Sequence, residues 1–244
     1  SEAQLVMNAK SSFISYYSSK AVLETARTTL ETMKDTLTLT KAKVTAGTAT
    51  ESELRSAEKN VSDQETAVKK AEEAVEENRQ KLIVMLGWKS SDEPEIGELP
   101  EISSDTVDAI DLDADLKKAA ENNYTLKINK RKLNNASDSD NVSVLNSTIS
   151  GNEKSISVSV KSAYSTLKSA LMSYESAKQE LVNEEKNMQT AEARYSAGLS
   201  TRFEHNNEKN TLELKKQAVE SAKCSLVNAY MTYESYVGGL ANAG

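Results

Sequence analysis

The sequence predicts an all-α chain built from two tandem, long, antiparallel coiled-coil hairpins with a short connecting segment between them. Three observations predict it. The 244 residues include only 8 Gly and 2 Pro, well below the usual share of chain breakers, so helices can run long. Apolar residues recur every seven positions over most of the chain. Residues 12–88 also align without a gap with residues 163–239, an internal repeat at an offset of 151. A sandwich or α/β enzyme would need more turns, hence more Gly and Pro.

The first predicted helix covers about 3–45 and carries Tyr16, Leu23, Leu30, Leu37 and Val44 at a spacing of seven, with Ser19, Ala26, Met33 and Thr40 beside them. The second covers about 51–86, with Leu54, Val61, Val68, Val75 and Leu82. The repeat returns the pattern over 154–196 (Val160, Leu167, Tyr174, Leu181, Met188, Tyr195) and over 202–237 (His205, Leu212, Val219, Leu226, Tyr233). A strict period of seven imposes a left-handed supercoil. The second row of the third helix holds Ala163, Ala170, Ala177 and Ala191, small residues that let helices approach closely. At 1.5 Å per residue a helix of ~40 residues is ~60 Å long.

Each hairpin turns at a glycine. Gly47 and Gly198 coincide under the offset, and each suits the left-handed position that ends a helix. Three residues later come Thr50-x-x-Glu53 and Thr201-x-x-Glu204, reciprocal capping boxes for the outgoing helices. Capping accounts for the Thr and Glu. It does not account for Thr48 and Leu199, just past the glycines, or for Arg202. An apolar residue exposed at a turn points to a contact surface.

Three regions follow: a first hairpin repeat over 1–88, an acidic linker with a short helix over 89–153, and a second hairpin repeat over 154–244. Residues 91–115 hold ten acidic side chains, no Lys or Arg, and both prolines, Pro94 and Pro100. They read as an extended, solvated linker to about 108, followed by a helix over about 111–135 with Leu112, Leu116, Ala119 and Ala120 on its apolar face. Residues 141–160 are rich in Ser and Asn; alternation at Val142/Val144 and Ile156/Val158/Val160 permits a short β-hairpin, whereas the heptad row reaching Val160 argues for helix.

The net charge is −7, which disfavours nucleic acid, since phosphate binding needs a basic patch. The longest apolar run, Leu82–Trp88, is too short to span a bilayer. The chain opens at Ser1 and not Met, as expected of a processed or shortened chain. Cys224 is the only cysteine and reads as an ordinary helix residue. His205, the only histidine, lacks the paired Glu-x-x-His motifs of a di-iron bundle. Asp111-x-Asp113-x-Asp115 starts like a calcium loop, but Leu116 and Asn122 stand where that loop needs Gly and Glu. No nucleophile–base pair or phosphate loop is visible. No enzyme, cofactor or metal is expected.

The tip segments carry a resemblance. Ala191-Glu192-Ala193-Arg194-Tyr195-Ser196-Ala197-Gly198-Leu199-Ser200-Thr201-Arg202-Phe203-Glu204 resembles the tip signature of the TolC-type outer-membrane efflux proteins, Ala-x-x-Arg-Tyr-x-x-Gly-x-x-Ser/Thr-x-x-Asp/Glu followed by an aliphatic residue, where this chain has His205. The first copy has Lys43-Val44 in place of Arg-Tyr and keeps Gly47, Thr50, Glu53 and Leu54. The ends Leu82–Gly87 and Tyr233–Gly238 are similar to the family's hairpin ends. The segment from Asp111 to Asn123 is similar to the short equatorial helix joining its two halves.

The resemblance implies a TolC-like α-barrel protomer. Two hairpins per chain assemble as a homotrimer into a helical duct of efflux pumps and type I secretion systems. The tips dock a periplasmic adaptor, or membrane fusion, protein that links the duct to an inner-membrane transporter. On this footing Val44, Gly47, Thr48, Tyr195, Gly198 and Leu199 are the candidate docking residues. Thr50, Glu53, Thr201 and Glu204 are the turn caps, and Arg202 is a candidate tip ion-pair partner for an acidic cap of a neighbouring hairpin. The place of action is the cell envelope.

One departure stands out. A membrane strand needs ~9–11 alternating residues and aromatic girdles, and residues 138–160 contain at most one Ser-rich hairpin and no aromatic. Either membrane strands have been removed or the chain is a barrel-less relative, and this chain on its own is expected to be a monomer. The competing reading is an envelope coiled coil that interacts but forms no duct. A helical pore-forming toxin would need an apolar insertion hairpin, which the sequence does not show.

Overall fold

The structure is a computed structural model that describes residues 2–89, 91 and 93–241, apart from the side chains of Glu2 and Ala3. Helices run over Glu2–Thr45 (α1), Glu51–Met85 (α2), Ser104–Asp108 (α3), Leu112–Asn122 (α4), Tyr124–Asn134 (α5), Ser139–Ser196 (α6) and Arg202–Ser235 (α7), and a π-helical turn, Tyr236–Leu240, ends the last. Among the described residues there is no strand. The chain divides into two compact units. One contains Ser12–Gly97 and Tyr174–Cys224; the other contains Ser1–Ser11, Glu98–Ser173 and Ser225–Gly244.

The first unit is held by the heptad rows. Leu23, Val61, Ala71 and Leu82 are buried, so the seam positions read from the sequence are the ones removed from water. Polar cross-links add register. Gln64 donates to the Ala26 carbonyl at 3.0 Å, and Asn206 of α7 donates to Asp35 of α1. Tyr17, in edge contact with Phe13 and Tyr16, donates its hydroxyl to the Gly97 carbonyl at 2.6 Å. That bond ties the end of the acidic segment to α1.

In the second unit Ile156, Val160, Leu167, Leu226 and Val227 are almost wholly buried. Here the structure corrects three expectations. Helix α6 begins at Ser139, not near 154, and the alternating valines do not form a hairpin. Ile149, Asn152 and Ile156 are buried along one face, and Asn129 of α5 donates to Asn152 at 2.8 Å. Packing outweighs the weak helix propensity of a Ser/Asn-rich stretch. The linker is not simply solvated either. Leu99, Ile102 and Val107 are buried, and Ser103 caps the short helix α3 by accepting from the Thr106 N–H.

The helix expected over 111–135 is broken in two. Asn123 ends α4 and caps α5, its Oδ1 accepting from the Leu126 N–H at 3.0 Å. Its amide nitrogen donates to the carbonyls of Gly239 at 3.2 Å and Ala241 at 2.9 Å. One buried side chain thus breaks a helix, starts another and anchors the chain's last turn.

Candidate docking tips

Both hairpins turn in the same way. At the first tip the Gly47 N–H donates to the Val44 carbonyl at 2.9 Å and the Thr48 N–H to the Lys43 carbonyl at 2.8 Å. At the second, Gly198 donates to Tyr195 at 2.9 Å and Leu199 to Arg194 at 2.8 Å. This paired 5→2 and 6→1 pattern is the Schellman motif. It needs a left-handed residue, and Gly47 and Gly198 have φ of 73° and 70°. No atom lies within 4 Å of a Cβ added at either position, so backbone conformation alone calls for glycine there.

The caps complete each turn. Thr50 Oγ1 accepts from the Glu53 N–H at 3.2 Å while the Thr50 N–H donates to Glu53 Oε2 at 2.6 Å. Thr201 and Glu204 repeat this at 3.2 and 2.7 Å. These hydrogen bonds, led by the Thr backbone N–H, hold both Glu carboxyls below the usual carboxylate range, with smaller help from Lys43 at the first tip and Arg194 at the second. The two basic residues coincide under the 151 offset.

The two tips differ in what they show to solvent. Val44 is half-buried and Gly47 and Thr48 are exposed. On the second tip Gly198 is exposed, Leu199 is 71% exposed and Tyr195 is 39% exposed. Arg202 is the exposed first residue of α7. The Tyr195 ring stacks on His205 with centroids 4.6 Å apart, and His205 Nε2 lies 2.6 Å from Glu192 Oε2. His205 was read as an ordinary first-turn residue; it braces the Tyr195 ring between α6 and α7. Among the described residues no group of three or more His, Cys, Asp or Glu side chains could hold a metal ion.

The opposite hairpin ends differ by one residue. In the first copy Gly87 takes φ of 84°, with Gly87 and Trp88 repeating the Schellman bonds to Val84 and Ile83 at 3.0 Å each. Its expected counterpart Gly238 is not the left-handed residue; Gly239 is, at φ of 104°. The π-helical turn adds one residue to the helix end and shifts the glycine requirement along the Gly-Gly pair. At Gly239 a Cβ would sit 2.6 Å from the Asn122 carbonyl oxygen, so close packing excludes a side chain as well.

No described protein family matches the sequence, and no curated protein matches it. The fold does match solved structures. CusC, reported in connection with transmembrane channel formation, aligns over 97% of this chain and 77% of its own at 12% identity and a TM-score of 0.66. A membrane protein from Pseudomonas aeruginosa aligns over 97% and 68% at 13% identity, TM-score 0.64. The outer membrane protein VceC from Vibrio cholerae aligns over 97% and 70% at 12% identity, TM-score 0.60.

Proposed function

From its TolC-like α-barrel protomer fold we propose that the chain is a non-enzymatic component of an efflux or type I secretion apparatus of the cell envelope. It contributes its two hairpins, 1–88 and 154–244, to an α-helical export duct, with 89–153 as the equatorial segment. Three copies close the ring. The tips dock a periplasmic adaptor protein, which couples the duct to an inner-membrane transporter. No described helix is long and apolar enough to cross a membrane, so the chain's helices act as duct wall in this reading.

The observation that carries the proposal is the duplicated tip. Two turns of the same hydrogen-bonded geometry stand in register, and one presents Leu199 and Tyr195 to solvent. Folding gains little from an apolar residue at 71% exposure, whereas a protein contact does. In this reading Val44, Gly47, Thr48, Tyr195, Gly198 and Leu199 form the docking surface. Thr50, Glu53, Thr201 and Glu204 hold its shape, and Arg202 pairs with an acidic cap of a neighbouring hairpin. An exposed pair of that kind is worth ~0–1 kcal/mol, so a latch needs several around the ring.

The test is Gly198→Val with Leu199→Asp, scored by adaptor capture and by export. Helicity by circular dichroism should persist while both readouts are lost. Unchanged export would leave the tip as a turn only and favour a coiled coil that forms no duct.

A further inference from the structure

The second hairpin carries a buried acid that the duct reading does not use. In the small-residue row of α6, at positions 163, 170, 177, 184 and 191, four members are Ala and the fifth is Glu184. Glu184 is only 8% exposed. Its Oε2 accepts from Asn187 at 3.2 Å, and its Oε1 is buried with no hydrogen-bond donor. Across the seam stands Glu208 of α7, half-buried and within hydrogen-bonding reach of Glu184. Two carboxylates facing each other are two acceptors. The donor that Glu184 lacks is the one that a protonated Glu208 supplies.

We propose that the contact between buried Glu184 and Glu208 across the seam makes the second hairpin an element that tightens in acid and loosens as pH rises. Lys215, on α7, feels Glu184 but is committed to Glu180 of α6 at 2.8 Å. On α1, Asp35 accepts from Asn206 of α7, two residues before Glu208 in sequence. Burial, then hydrogen bonding to Glu184 and its charge, raises the Glu208 pKa. A carboxyl raised in the folded state contributes stability at low pH. That stability falls as pH rises from the ordinary Glu value through the raised one.

The repeat provides an internal control. Under the 151 offset the positions of Glu184 and Glu208 are Met33 and Ala57, which cannot titrate. A polar residue in a seam can also serve only to fix register, but that role has no pH dependence of this kind.

The experiment is hydrogen exchange of the whole chain, corrected for intrinsic rates, in EDTA so that no divalent cation replaces the proton. Between about pH 4 and about pH 8, opening of segments 181–191 and 203–212 should rise, while 30–40 and 52–62 stay level. Glu208→Gln should abolish the difference. His205 and Glu192 are present in both proteins, so the comparison isolates Glu208. Equal pH dependence in wild type and Glu208→Gln, or equal change in both hairpins, overturns the proposal. Should the variant fail to fold, carboxyl-carbon NMR of the wild type decides: the proposal requires Glu208 to titrate above the ordinary Glu range, and an ordinary midpoint overturns it.

Discussion

Glycine has two separable roles in this chain, one local and one tertiary, and they give different expectations. At Gly198 the requirement is a left-handed φ of 70° in open space, so Gly198→Ala should cost about 1 kcal/mol. At Gly239 the same conformational cost is joined by a Cβ 2.6 Å from the Asn122 carbonyl oxygen. Backbone must move, and Gly239→Ala should cost about 3 kcal/mol. Urea denaturation of the two variants checks the ranking; equal costs would mean that the π-turn does not pack as described. The caps give a second residue-level expectation. Thr201→Ala removes both bonds of the hydroxyl, the one it accepts from the Glu204 N–H and the one it donates to the Glu204 carboxylate, and keeps the backbone one, at about 1 kcal/mol. Because the Glu204 carboxyl is held below its usual range, its stabilisation is present above the ordinary carboxylate value and is lost as pH falls through the lowered one. The variant should therefore lose less stability than wild type on acidification, read as urea midpoints across the acid range.

Elements were legible where one local signal decided them, and less so where tertiary contacts did. Glycine followed by Thr-x-x-Glu marked both turns, and the seven-residue spacing marked seam residues such as Leu23, Leu82, Val160 and Leu226, all buried. Toward the first tip the α1 row opens, with Leu30 and Leu37 only half-buried; periodicity records direction and not depth. Helix α6 was misread at its start because Ser and Asn disfavour helix, while the buried contacts of Ile149 and Asn152 lie far away in sequence. Asn123 was visible only as part of an Asn pair; its role depends on carbonyls more than a hundred residues later. The alanine row skips position 184, but nothing in the spacing marks Glu184 as buried or points to its partner across the seam. The α4–α5 junction gives the expectation at this scale. Asn123→Asp keeps the oxygen that caps α5 and loses both donor bonds, whereas Asn123→Ala loses all three and leaves the Leu126 N–H buried and unpaired. The alanine variant should cost about 3 kcal/mol and the aspartate variant at least as much, because its buried carboxylate faces the Gly239 and Ala241 carbonyl oxygens, with amide exchange at Leu126 accelerated only in the former.

At the scale of the whole molecule, the proposal turns on what covers apolar side chains that one chain leaves bare. Val144, Val158 and Met172 of α6 are 64%, 67% and 73% exposed, and their fourteen-residue spacing places them on one stripe two heptads apart. Singly exposed apolar residues need no explanation, but a heptad-spaced stripe has the form of a helix-packing face. In the proposed ring that face meets a hairpin of the next copy. In dilute solution the lone chain, with its charge of −7, is expected to have the mass of one copy, 26.6 kDa, by light scattering. Val158→Lys with Met172→Lys should then change the lone chain's unfolding free energy by less than about 0.5 kcal/mol, as solvent-facing substitutions do. In the envelope the same pair of charges would be driven into a helix–helix contact without partners, at a cost that three copies multiply around the ring. Cross-linked trimer and export should both be lost. A variant that folds, cross-links and exports as wild type would show that this face meets no neighbour and that the ring closes through another face; a wild-type chain that gives no cross-linked trimer in the envelope would instead favour the coiled-coil reading without a duct.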